Sequence, residues 1–217
     1  MPARETEAII LRTYPLKEAD KIVSFFSRAF GKARGVARGA RRPKSRYGAA
    51  LEPLSHVRMW LFERETADLV TIDHCELIRS FFDAQKDYAA GVALGYMAEV
   101  TEQLMPEREP NDAFFRLLLL VLEKIGSTGQ IWPALTYFDL WAVRLAGILP
   151  SLDRARGLSE ESRALAREML AKPLPALEPR AWTKQTAQDL RRFLEQQIER
   201  HIERRLKTRA MLEQLKD

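Results

Sequence analysis

The chain has 217 residues, a formal net charge of +5, 46% hydrophobic and 30% charged residues, a composition that fits a globular protein and excludes disordered and collagen-like classes. The single cysteine, Cys75, cannot close an intramolecular disulfide or hold a structural zinc alone, so a cytosolic chain without metal or other cofactor is expected. The apolar run 8–11 is too short for a signal-peptide core and the uncharged stretch 125–138 too short and polar for a membrane span, so neither export nor insertion is expected.

In chain order, residues 1–80 read as five short strands at 7–14, 21–28, 32–41, 54–63 and 67–77. Turn signals at Tyr14-Pro15, Phe30-Gly31 and Arg42-Pro43 separate the first four. Five strands at this spacing predict a small barrel. In the third, Lys32, Arg34, Val36, Arg38 and Arg42 share one face, and Ala33, Gly35, Ala37 and Gly39 share the other. The first face is a cationic row, and the second permits close approach of another strand. In the fourth, His56, Arg58, Trp60 and Phe62 alternate with Val57, Met59 and Leu61, the period of a strand with one face on a core.

After Ser80 the pattern becomes helical. Helices are predicted over 88–105, over 114–125 behind an N-cap at Asn111 or Asp112, and over 132–146 with Pro133 in the first turn and Gly147 closing it. Ser159 caps a fourth through Leu170. Beyond Pro173, Pro175 and Pro179, a long closing helix starts near Lys184 with an apolar stripe of Leu190, Phe193, Leu194, Ile198, Ile202 and Leu206. The expected organisation is α+β: a barrel domain at 1–80 and an all-α domain at 81–217.

Charge placement points to function. The stretch 21–51 holds nine basic residues and no acidic one, and a block of one sign at that density calls for an anionic partner. Lys32, Arg34, Arg38, Arg41, Arg42, Lys44 and Arg46 are the expected phosphate contacts, with Tyr47 the expected base-stacking ring. No catalytic site is expected. Gly31, Gly35 and Gly39 match neither a P-loop nor a dinucleotide fingerprint, and His74 and Cys75 on one strand point to opposite faces. Cys75 reads as a packed thiol, and Glu160 with Glu161 as a complement to a helix start.

Glu7-Ala-Ile-Ile-Leu-Arg12, Asp20-Lys-Ile-Val23, Gly31-Lys32 and above all Gly35-Val-Ala-Arg-Gly-Ala-Arg-Arg-Pro-Lys-Ser-Arg46 resemble the N-terminal domain of the RecO family of recombination mediators. The resemblance continues through Leu51-Glu-Pro-Leu54 and reaches Arg205-Leu-Lys-Thr-Arg209. It implies a five-stranded oligonucleotide/oligosaccharide-binding (OB) barrel followed by the helical domain. It further implies binding of single- and double-stranded DNA, annealing of complementary strands, and action with RecR and the single-stranded-DNA-binding protein in recombinational repair at the nucleoid. The acidic, apolar-ended C-terminal tail of that last partner needs an apolar groove beside cations, for which Arg144, Lys184, Leu190, Arg191 and Leu194 are the candidates. Many members carry a four-cysteine zinc module after a segment resembling Leu145-Ala-Gly-Ile-Leu-Pro-Ser-Leu-Asp153; here it runs on through Arg154-Ala-Arg-Gly-Leu158 without cysteine. The competing readings are an RNA-binding module on the same barrel and a ligand-responsive helical transcription regulator, which needs a helix-turn-helix where this chain has strand-like alternation.

Overall fold

Apolar side chains alternating with polar ones shape the first half of the chain. The computed structural model describes residues 3–63 and 68–215, and contains strands β1 (Arg4–Leu16), β2 (Asp20–Ser27), β3 (Gly31–Ala37), β4 (His56–Phe62) and β5 (Val70–Arg79). Ala67, the expected start of the fifth strand, lies outside the described residues. The strands close in the order β1-β2-β3-β5-β4, antiparallel throughout except between β3 and β5. This is the expected five-stranded OB barrel.

Its interior is filled by Ala8, Ile10, Val23, Phe25, Val57, Met59, Leu61 and Ile72, each 1% exposed or less. Adjacent Phe25 and Phe26 divide between the two faces. Phe25 enters the barrel, whereas Phe26 packs outside against Phe114 and Phe115, with ring centroids 5.4 and 6.5 Å away. Two glycines are required by geometry. At Gly35 a Cβ would stand 2.8 Å from side-chain atoms of Val70 and Ile72; at Gly31, where φ is +66°, it would stand 2.0 Å from the backbone oxygen of Glu109.

The chain continues with α-helices α1 (Tyr88–Leu104), α2 (Asp112–Thr128), α3 (Ile131–Leu145), α4 (Glu160–Ala171), α5 (Gln188–His201) and the short α6 (Arg209–Gln214). Asn111 Oδ1 accepts from the Phe114 amide at 2.9 Å and Ser159 Oγ from the Ser162 amide at 3.2 Å, so both expected caps are formed. α2 passes Gly126 and ends near Gly129, whose φ is +66°. The closing helix is shorter than its stripe suggests: it ends at His201, Glu203 turns the chain with φ +55°, and Leu206 lies beyond it. By compactness the chain forms two units, residues 1–86 with 101–115, and 87–100 with 116–217.

In the second unit, Arg209 joins three carboxylates, Glu195 at 3.1 Å, Glu199 at 2.7 Å and Glu213 at 3.2 Å. Glu99 accepts from the amides of Lys207 and Thr208, both at 2.9 Å. The Tyr96 hydroxyl donates to Asp139 at 3.0 Å, both groups being buried. Burial outweighs the pull of Arg209 and Arg191 on Glu195 and pushes its carboxyl up to about 7.

Two predictions follow from this packing. Gly31→Ala is expected to cost about 2–4 kcal/mol, from left-handed backbone strain plus displacement of the Glu109 peptide. Urea unfolding checks it, and an unmoved midpoint contradicts it. The folded Glu195 carboxyl also holds its proton more tightly than the unfolded one, whose ordinary value is 4.5. The stability supplied by that proton is fully present below about 4.5 and lost as pH rises through about 7. Asp139 is raised in the same direction by burial and, next, by Glu195 itself, so the difference between wild type and Glu195→Gln reads Glu195 together with its coupling to Asp139. Wild-type stability should fall more steeply than the variant's between pH 4.5 and 7.5; parallel profiles contradict the assignment.

Candidate nucleic-acid interface

The cationic residues are displayed by a turn rather than by a strand. The third strand, expected to run to Arg41, stops at Ala37, because Gly39 takes φ +70° and donates its amide to Asp20 Oδ1 at 2.8 Å. The Arg42 amide then bonds to the Gly39 carbonyl at 3.1 Å, and that of Ser45 to the Arg42 carbonyl at 3.0 Å. The Arg41 amide reaches the Ala19 carbonyl at 2.9 Å and its guanidinium the Lys17 carbonyl at 3.0 Å, which fixes the turn against the β1–β2 connection. At the far end the Tyr47 hydroxyl donates to the Ile72 carbonyl of β5 at 2.8 Å.

This anchoring overturns one expected role. Tyr47 is 3% exposed and its ring belongs to the barrel core, so it cannot stack on a base. Burial pushes its hydroxyl above the ordinary range, consistent with a structural donor.

The cations differ in what they meet. Lys32 is half-buried and donates to the Glu102 carbonyl at 2.7 Å, so it is held within the fold. Arg34 is exposed, 3.6 Å from Glu107. Arg46 lies 3.5 Å from Asp73 and covers the Tyr47 ring. Arg38, Arg42 and Lys44 are exposed and, among the described residues, have no carboxylate within ion-pair distance. With Arg41, they form a positive surface on a turn tied down at both ends.

In the helical unit the proposed partner residues separate. Leu190 and Leu194 are 0% exposed, so they serve the core and offer no surface, contrary to expectation. Arg191 is also buried, with Nη1 donating to Thr136 Oγ1 at 3.1 Å and the Thr186 carbonyl at 2.6 Å, and its guanidinium over the Trp132 ring. Lys184 Nζ donates to the Leu215 carbonyl at 2.7 Å. Lys184 and Arg191 line one cavity of about 330 Å³ together with Trp132, Leu135, Arg192 and Leu212. Arg192 is its exposed cation. Arg144 lies elsewhere, over the Trp141 ring.

The remaining reactive groups have structural surroundings. Cys75 is buried, which pushes its thiol up to about 12. His56 Nε2 lies 3.1 Å from Glu7, and His74 stacks on Trp60 with centroids 4.1 Å apart. Among the described residues no group of three or more His, Cys, Asp or Glu side chains could hold a metal ion, and no helix is long and apolar enough to cross a membrane.

Two family models match the chain, Recombination protein O N terminal over residues 1–81 and Recombination protein O C terminal over residues 85–155. The DNA repair protein RecO of Koribacter versatilis is 44% identical over 242 aligned positions, covering 98% of this chain and 99% of the relative. That alignment is longer than this chain's 217 residues, so the relative carries residues with no counterpart here. The DNA repair protein RecO of Anaeromyxobacter dehalogenans is 32% identical over 70% of this chain and 60% of its own length, and that of Cutibacterium acnes 40% identical over 58% and 51%. Barrel topology, matched domains and full-length identity agree: the chain belongs to the RecO family.

Proposed function

We propose that this chain is a non-enzymatic DNA-binding mediator of recombinational repair. In this reading residues 1–80 bind single- and double-stranded DNA, and 81–217 meet protein partners, RecR and the single-stranded-DNA-binding protein. The observation that carries it is the anchored turn with Arg38, Arg42 and Lys44 exposed and, among the described residues, without carboxylate partners. Such cations gain affinity by releasing counterions condensed on a phosphate backbone, a term that does not depend on base sequence. Neutralising the phosphates of two complementary strands lowers their mutual repulsion, which permits annealing. Arg41 adds to the same field, whereas Arg34 and Arg46 are offset by Glu107 and Asp73, and Lys32 acts as an internal strut.

The partner reading moves from the Leu190 and Leu194 stripe to the cavity. Trp132, Leu135 and Leu212 supply an apolar lining, and Lys184 and Arg192 supply positive charge for an acidic, apolar-ended peptide. Arg144 has no place in this version.

Replacing Arg38, Arg42 and Lys44 together by Ala is expected to weaken binding similarly across DNA sequences. The slope of log affinity against log salt should flatten by up to roughly 0.7 per lost contact on single strands and roughly 0.9 on duplex. Fluorescence anisotropy over a salt series measures this, and an unchanged slope in the folded variant defeats the reading. For the partner, an acidic peptide with an apolar C-terminus titrated into the full chain should bind, weaken with salt, and weaken roughly tenfold with Arg192→Glu. Binding indifferent to Arg192→Glu removes the cavity from this role.

A further inference from the structure

The strand register lines up three side chains on the outside of the barrel. Tyr14 pairs with Ile22, and Ile22 with Val36. The next positions along β2 and β3, Val23 and Gly35, are buried on the inner side, so Ile22 and Val36 point outward. Neighbouring strands lie about 5 Å apart, which makes Tyr14, Ile22 and Val36 one continuous shelf. Tyr14 is 45% exposed, and Ile22 and Val36 are half-buried.

The same face is closed one step further along. Ser24, flanked in register by Arg12 and Arg34, is 3% exposed, and those two arginines are engaged by Glu102 at 2.9 Å and Glu107 at 3.6 Å. In the other direction the shelf leads to Arg38, two residues beyond Val36, where the anchored cationic turn begins. An exposed aromatic ring and two β-branched side chains thus lie between a covered zone and a row of cations.

We infer that Tyr14 is a base-stacking residue. Its ring, with the Ile22 and Val36 shelf beside it, receives an unpaired base of single-stranded DNA whose phosphates lie on Arg38 and Arg42. The inference rests on the DNA-binding reading above and deepens it by separating two terms. The cations hold any phosphate backbone, single or duplex, whereas the tyrosine face rewards a strand whose bases are free to leave their stack. A duplex offers no such face, and a protein ligand would not depend on the strandedness of DNA. Complementarity of charge chooses the occupant, because an apolar shelf bordered by cations suits an anionic chain that carries flat apolar rings.

The test uses the full chain, a single-stranded oligonucleotide containing 2-aminopurine, and the matched duplex. Tyr14→Ala is expected to weaken single-strand binding by about tenfold and to abolish the change in 2-aminopurine emission on binding, with duplex affinity and salt slope unchanged. Tyr14→Phe, which keeps the ring, should retain wild-type behaviour. Equal losses on single strand and duplex, no loss on either, or Tyr14→Phe as weak as Tyr14→Ala would overturn the assignment. The Arg38, Arg42 and Lys44 triple variant, measured alongside, reads the phosphate term through its salt slope. A flattened slope with no Tyr14 effect sinks the stacking inference alone, and wild-type chain that binds neither probe sinks both readings.

Discussion

No side chain fits at residue 35. A Cβ there would lie 2.8 Å from side-chain atoms of Val70 and Ile72, both buried in the barrel. Because Gly35 leaves that space empty, β3 can lie parallel to β5 over residues 35–37 against 70–72, and the barrel closes. The seam is short because Gly39 turns the chain away once Ala37 has paired with Ile72. From this turn come the positions of the exposed cations and of Tyr47, whose hydroxyl returns to the same stretch of β5. Closure, cationic turn and buried tyrosine are one arrangement, set by the absence of a methyl group.

The acid-free stretch 21–51 is not acid-free in space. Glu107 and Asp112, far along the chain, come to Arg34 and Arg28, Glu7 also reaches Arg28, and Asp73 meets Arg46. Exposed pairs of this kind add about 0–1 kcal/mol each, so their effect on stability is small. Their effect on the field is larger, since they cancel charge over one part of the barrel and leave it uncancelled on the turn. A patch defined by counting basic residues in sequence is therefore broader than the patch that remains once the chain has folded.

What could be read in the sequence was local. The two-residue period gave the strands, and Asn111 and Ser159 gave two caps, because these depend on neighbours a few residues away. The pattern over-extends the third strand, since the two-residue alternation keeps its parity as far as Gly39, which already occupies a left-handed backbone region, and breaks only at Ala40 and Arg41. Tyr47 looked exposed beside Arg46 and Gly48; its burial depends on Ile72, which lies 25 residues away. Leu190 and Leu194 belonged to a legible apolar stripe, but an apolar stripe most readily marks a core face, and both are fully buried. In the sequence Tyr14 is half of a Tyr-Pro turn signal, and its partners Ile22 and Val36 become neighbours only through strand register.

The membership of 101–115 in the barrel unit bears on the order in which the protein is made. Phe26 meets Phe114 and Phe115, His56 meets Phe115, and Lys32 meets the Glu102 carbonyl. All five strands are complete at Arg79, yet these outer partners have not been synthesised at that point. At ordinary rates of about 5–20 residues per second, a nascent barrel spends seconds with its outer aromatic face bare while the ribosome adds the next three dozen residues. During that interval the outward ring of Phe26 lacks the Phe114 and Phe115 rings that cover it in the finished fold.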